Sequence, residues 1–98
     1  MNMQAMLQQA QRMQKDIQAK QAEIEKSEFT GTSEMVDITI YGSKKVKSVN
    51  IKVKSLDEDD VEVLEDMIKI AMNDAISKVE KETEAKLGSY GKQLGGLI

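Results

Sequence analysis

The residues of this 98-residue chain best placed to do chemistry are cations. Lys44, Lys45, Lys47, Lys52 and Lys54 fall between Gly42 and Lys54 with no acid among them, a density suited to neutralising the phosphates of a polyanion. Arg12, Lys15, Lys20 and Lys26 form a second series in the N-terminal stretch. Each has a plainer explanation. Lysines on an exposed hairpin protect a sheet edge from unwanted pairing, and a helix surface ordinarily carries solvated charge. Composition alone leaves both explanations open.

Other chemistry is harder to assemble. General acid–base catalysis at neutral pH most often uses His, and a nucleophile needs an adjacent base; the chain has no His and no Cys. The run Asp57, Glu58, Asp59, Asp60 has oxygen ligands for a hard cation, but lacks the central Gly and distal Glu of a calcium loop. Its residues suit a helix start instead. Gly91 and Lys92 are followed by Gln93 rather than Ser or Thr, and no strand precedes them, so they do not form a phosphate loop. Neither an enzyme, a metal site, a cofactor nor a small-molecule substrate is expected.

The absence of cysteine removes disulfides and thiolate metal sites, the usual devices of small secreted domains, so cytoplasmic residence is expected. No apolar run approaches the roughly 20 residues that span a bilayer, and no export signal is evident. Net charge is −3, but unevenly placed. Residues 1 to 27 carry four cations against three anions, residues 28 to 55 five against three, and residues 56 to 98 five against eleven. Surface patches farther apart than a Debye length of about 10 Å act separately, so an acidic chain can still present a basic face.

The elements that must position these residues are legible in the hydrophobic pattern. Met3, Met6, Ala10, Met13, Ile17 and Ile24 recur at steps of three and four, with only Lys20 breaking the series. This predicts a helix over residues 3 to 26 with a heptad seam. The seam is too narrow to bury the helix in a globular core, and roughly 36 Å of helix exceeds the width of a small domain. The helix is expected to project and to pair, with Met3, Met6, Ala10, Met13 and Ile17 as the dimer seam. The three methionines also suit an adaptable binding face, although helix-seam packing is the plainer account. A chain this short often completes its core by association, so a homodimer is expected.

Ser27 to Ser33 predicts a short first strand. Met35 to Tyr41 alternates, with Val36, Ile38 and Ile40 on one face. Gly42 and Ser43 supply a turn, and Val49, Ile51 and Val53 alternate with Ser48, Asn50, Lys52 and Lys54, completing a hairpin. Val46 is out of phase, which predicts a bulge near Lys47. A second helix is expected from about 57 to 87, N-capped by Ser55 with Glu58 in capping-box position. Its stripe of Val61, Leu64, Ile68, Ala71, Met72, Ala75, Ile76 and Val79 is wide enough to cover the hairpin's apolar face. Residues 1–87 then form a single domain, and 88–98, with Gly88, Gly91, Gly95 and Gly96, a flexible tail. The fold class is α+β: a long N-terminal helix, a short antiparallel sheet made of a hairpin plus a first strand, and a long C-terminal helix.

The order of these elements and several strings resemble the YbaB/EbfC family of bacterial nucleoid-associated DNA-binding proteins. They are LQQAQRMQKDI (Leu7 to Ile17), VKSVNI (Val46 to Ile51), DDVEVLEDMI (Asp59 to Ile68), AMNDAISKV (Ala71 to Val79) and the Gly-rich close. The resemblance implies a homodimer with helices projecting like tweezer arms, double-stranded DNA as partner with little sequence preference, and residence in the cytoplasm at the nucleoid. It places DNA contacts on Arg12, Lys15 and Lys20 and on Lys78, Lys81 and Lys86. Where the family often has an Ile-Asp-Pro-like segment, this chain has Ile51, Lys52, Val53 and Lys54. That keeps Lys44, Lys45 and Lys47 as a second candidate contact set. Two helices flanking a hairpin are also the layout of prefoldin-like chaperone or adaptor subunits, the rival expectation.

Overall fold

The computed structural model describes residues 2–94. Helix α1 spans Met3–Lys26, followed by strands β1 (Glu28–Thr32), β2 (Val36–Tyr41) and β3 (Val46–Ile51) and by helix α2 (Val61–Leu94). The strands form one antiparallel sheet in the order β1-β2-β3. The α+β class and element order follow the sequence pattern. The radius of gyration is 19.4 Å, against about 13 Å for a compact domain of this length. A long helical arm therefore projects from a small sheet body.

Helix α1 opens on Asn2, whose side chain accepts from the Gln4 N–H at 3.0 Å, and closes where Ser27 turns extended and donates to Glu23 O and Ile24 O. Each end thus finds partners for backbone groups that the helix leaves unpaired. In the sheet, Val36, Ile38 and Ile40 point to one face and are almost fully buried, as the alternation predicts. The opposite face is polar, with the Thr30 and Thr39 hydroxyls 2.9 Å apart and Lys52 Nζ 3.2 Å from Asp37 Oδ1. Between β2 and β3 the register shifts: Thr39 pairs with Ser48 but Ile40 pairs with Val46. Lys47 is thus the extra residue of a bulge, which restores Val46 to the face of Val49 and Ile51.

Three features depart from the sequence expectation. The helix start falls later: Asp57, not Ser55, begins a single 3-10 turn (Glu58–Asp60) ahead of α2. Asp60 Oδ2 accepts the Asp57 N–H at 2.9 Å, so Asp60 rather than Glu58 performs the reach-back. Helix α2 also runs through Gly88 and Gly91 to Leu94, seven residues past the expected end, because contacts with α1 offset the weak helix propensity of glycine. Residues 95–98 of the expected tail lie outside the described residues. Finally, α2 covers β1 and β2 but makes no contact with β3, which ends at Ile51. Val46, Val49 and Ile51 share the core face yet remain about half exposed.

The core is the contact of α2 with β1 and β2. Ala71, Ala75 and Val79, one turn apart, meet Val36, Ile38 and Ile40, with Phe29, Leu64, Met67, Met72 and Ile76 around them. Gly31 sets the approach: a Cβ there would lie 1.9 Å from Ala71 O and 2.9 Å from Ala75 Cβ. Asp74 adds a polar clamp, accepting the Thr32 N–H at 3.0 Å. That backbone donor, with Lys78 at 3.4 Å, holds the Asp74 carboxyl below its usual range.

The arm is α1 lying antiparallel to the C-terminal part of α2. Lys86 Nζ donates to Glu23 Oε1 at 2.8 Å, and one turn farther Tyr90 donates its hydroxyl hydrogen to Asp16. Lys20 Nζ donates to the Tyr90 oxygen at 3.2 Å and sits 4.7 Å from the ring centroid, a cation–π contact. Lys20 interrupts the apolar seam because it packs on an aromatic ring of the same chain.

Two measurements test this arrangement. Gly31→Ala should lower unfolding stability by about 1–3 kcal/mol, because backbone rather than a flexible side chain blocks the new methyl. Gly88→Ala, whose Cβ meets only the Glu84 side chain, should instead gain up to about 1 kcal/mol of helix propensity; denaturant melts of both variants compare the signs. The carboxyls of Asp16, Glu23 and Asp74 are lowered by Tyr90, Lys86 and Thr32 respectively. A depressed folded-state pKa contributes stability above the unfolded value, near 4, that is lost as pH falls through the folded one. Melting temperature should be flat between pH 6 and 8 and drop below about pH 4, less steeply in Asp74→Asn.

Candidate nucleic-acid interface

The structure sorts the candidate cations by whether a carboxylate holds them. Lys20 lies 3.6 Å from Asp16, Lys78 3.4 Å from Asp74, and Lys86 2.8 Å from Glu23 and 3.4 Å from Glu82. Lys47 crosses the outer face of the sheet to bond Glu28. Lys52 pairs with Asp37 and also donates to Ser33 O at 2.6 Å. The Tyr90 hydroxyl bond raises the Lys20 pKa, and Glu28 and Glu23 raise those of Lys47 and Lys86. These lysines brace the fold, although exposed pairs of this kind contribute only about 0–1 kcal/mol.

Arg12, Lys15, Lys26, Lys44, Lys45, Lys54, Lys69 and Lys81 make no ion pair among the described residues. Three of them share one face of α1. At about 100° per residue, Arg12, Lys15 and Lys26 fall within roughly 60° of one another and almost opposite the seam. Gln8, Ala19 and Ala22 fill the same strip, which contains no carboxylate, and all of these residues are exposed. Backbone phosphates need a row of cations rather than a pocket, and this face presents one. Asp57 to Asp66, the most acidic segment, sits at the opposite end of α2 from the arm. On the arm itself Glu25, Glu80 and Glu84 remain without an ion-pair partner among the described residues.

The β2–β3 turn adds two more free lysines at the root of the arm. The Lys44 N–H donates to Tyr41 O at 2.8 Å and the Tyr41 N–H to Lys45 O at 2.9 Å. The turn docks on the end of α1: the Gly42 N–H donates to Ser27 O at 3.0 Å and the Ser43 N–H to Glu25 O at 3.3 Å. Gly42 is required here, since a Cβ would come within 1.9 Å of Ile24 O. Lys44 has a φ of 74°, a left-handed conformation that costs a side-chain-bearing residue about 1–2 kcal/mol.

The expected dimer-seam residues are also in view. Met3, Met6 and Ala10 are exposed, while Met13 and Ile17 are half buried. Ala10, Met13 and Ile17 line an open groove of about 620 Å³ rimmed by Gln14, Gln18 and Gln21. Sequence reasoning counted Lys26 among the cations of the first helix without placing a DNA contact on it, and did not single out Tyr90. The signal for Lys26 is its eleven-residue spacing from Lys15, three helical turns. For Tyr90 there was only its four-residue step from Lys86, which gains meaning once α1 is placed beside it. Among the described residues no cluster of acids or histidines is arranged to hold a metal, and no helix is long and apolar enough to cross a membrane.

Similarity to known proteins covers nearly the whole chain. A protein designated "Nucleoid-associated protein" from Lactococcus lactis subsp. cremoris (strain MG1363) is 45% identical over 96 residues, which is 96% of this chain and 97% of that one. Another of that designation from Enterococcus faecalis (strain ATCC 700802 / V583) is 42% identical over 98 residues, covering 98% and 94%. "Nucleoid-associated protein gbs1791" of Streptococcus agalactiae is 42% identical over 96 residues, covering 96% and 97%. The profile of the YbaB/EbfC DNA-binding family matches residues 1–94; this chain belongs to that family.

Proposed function

We propose that this protein is a nucleoid-associated, non-enzymatic protein that binds double-stranded DNA as a homodimer, with little sequence preference, in the bacterial cytoplasm. The observation carrying the reading is the acid-free strip of Arg12, Lys15 and Lys26 along an arm whose Lys20, Lys78 and Lys86 are held by carboxylates. Such a surface neutralises phosphates and releases counterions without reading bases. In this reading phosphate contacts carry the binding, with no dedicated recognition helix, so the protein would act on DNA conformation and through it on gene expression.

The homodimer belongs to the same proposal. Val46, Val49 and Ile51 extend the buried face of β2 beyond the reach of α2, and Val53, Leu56, Val61 and Ile68 are exposed as well. A second copy placed on this face would complete the core. The seam of Met3, Met6, Ala10, Met13 and Ile17 is the other surface through which copies would pair. The chaperone or adaptor alternative needs apolar arm tips, and Met3, Met6 and Leu7 supply some; it lacks a use for the cationic strip.

Equilibrium binding to unrelated duplexes across a salt series tests the reading. Wild type should lose affinity steeply with salt, and replacing Arg12 and Lys15 with Ala should flatten the slope by about 3 to 4 per dimer, near 0.9 for each phosphate released. Lys20→Ala and Lys86→Ala should alter the slope far less and lower stability instead. Salt-independent binding, or suppression of client aggregation with no DNA binding, would favour the chaperone reading. In sedimentation, Val49→Asp should weaken self-association at least about 100-fold, roughly 3 kcal/mol. A dimer untouched by Val49→Asp but dissociated by Met6→Asp would move the interface to the seam.

A further inference from the structure

We infer that the β2–β3 turn is a second phosphate-binding foot at the root of the arm, with Lys44 as its principal contact and Lys45 beside it. The inference rests on the DNA-binding reading above but concerns a surface distinct from the arm's outer strip.

The first observation is conformational. A three-residue hairpin connection built on a turn followed by a left-handed residue ordinarily takes glycine at that last position. Here the position holds Lys44 at φ 74°, while glycine stands two residues earlier, where close approach to Ile24 requires it. Lysine has no side-chain group that favours this backbone locally, unlike Asn or Asp. Strain of this kind persists where the surroundings over-determine it, and it concentrates at binding sites. Here four backbone hydrogen bonds hold the turn, two of them to the C-terminal end of α1.

The second observation is electrostatic. Of the five hairpin lysines, Lys47 and Lys52 are bonded to carboxylates across the sheet. Lys44 and Lys45 are exposed and make no ion pair among the described residues, and Ser43 is bonded to Glu25, next to Lys26. Glu25 is the acid nearest in sequence to this junction, and its backbone carbonyl is what the turn engages. A lysine that only guarded a sheet edge would gain nothing from a strained backbone. A lysine that must stand at a fixed place relative to the arm would.

Arg12 and Lys26 are 14 residues apart on α1, about 21 Å along the helix. That is more than twice the Debye length of about 8 Å at physiological salt. Arg12 and the foot docked beside Lys26 therefore act as separate contacts, and removing the foot should subtract from the salt slope without abolishing the contribution of the outer part of the arm.

The test compares Lys44→Gly and Lys44→Arg with wild type in salt-dependent binding to a duplex of arbitrary sequence, alongside thermal melts. Lys44→Gly relieves the backbone and removes the charge: its melting midpoint should equal or exceed wild type, while affinity falls about tenfold or more and the salt slope drops by about 2 per dimer. Lys44→Arg should keep the wild-type slope. A Lys44→Gly protein that binds with unchanged affinity and slope would overturn the inference and leave the arm reading standing. Equal losses in Lys44→Gly and Lys44→Arg would overturn it too, since charge would not be the cause. Absence of duplex binding by wild type would overturn both.

Discussion

The contact on which the structure depends is the one between a missing side chain and a helix backbone. Gly31 lets α2 rest directly on β1, with Ala71 and Ala75 as the facing residues. This close approach lets a chain with one Phe and no Trp build a closed core from Val, Ile and Ala. Small residues at the contact also bring Asp74 within reach of the Thr32 N–H, so apolar packing and a polar clamp enforce the same placement. Once α2 is seated on β1 and β2, its remaining turns have no sheet left to cover and must continue outward.

That outward run determines the arm. α2 meets α1 through Lys86–Glu23 and through the Lys20, Tyr90 and Asp16 cluster, contacts between residues on opposite helices that use up lysines facing inward. Of the cations left free among the described residues, Arg12, Lys15 and Lys26 lie on the far side of α1 and Lys44 and Lys45 at the turn docked on its end. Charge is thus divided by geometry: inward lysines hold the arm together, outward ones remain available to a polyanion, and the acidic segment 57 to 66 stays at the other end of α2. A net charge of −3 is compatible with DNA binding only through this division.

The same placement leaves β3 without a cover. Its apolar residues continue the buried face of β2, yet α2 covers only the β1 and β2 part of that face. A short protomer with an unfinished core and a projecting arm is the expected form of a subunit rather than of a free-standing domain. In the proposed reading, association at the sheet and DNA contact along the arm and its root would fall on different surfaces.

Much of this was readable from local pattern. The seam fixed α1 at residues 3 to 26, alternation fixed β2 and its buried face, and the phase slip at Val46 revealed the bulge at Lys47, because these features depend on periodicities of 3.6 and 2 within one segment. The separation of basic and acidic stretches was equally plain. The partners of individual charges were not: Lys47 with Glu28 lies 19 residues apart, Lys86 with Glu23 63 and Lys20 with Tyr90 70. Nor could local pattern say that α2 would persist through two glycines, that it would cover β1 in preference to β3, or that Lys44 would be left-handed. Sequence by itself determined the elements and the supply of cations, since both are local properties. Which cations stay free was decided only by tertiary structure, because a lysine's availability depends on which distant carboxylate the fold brings beside it.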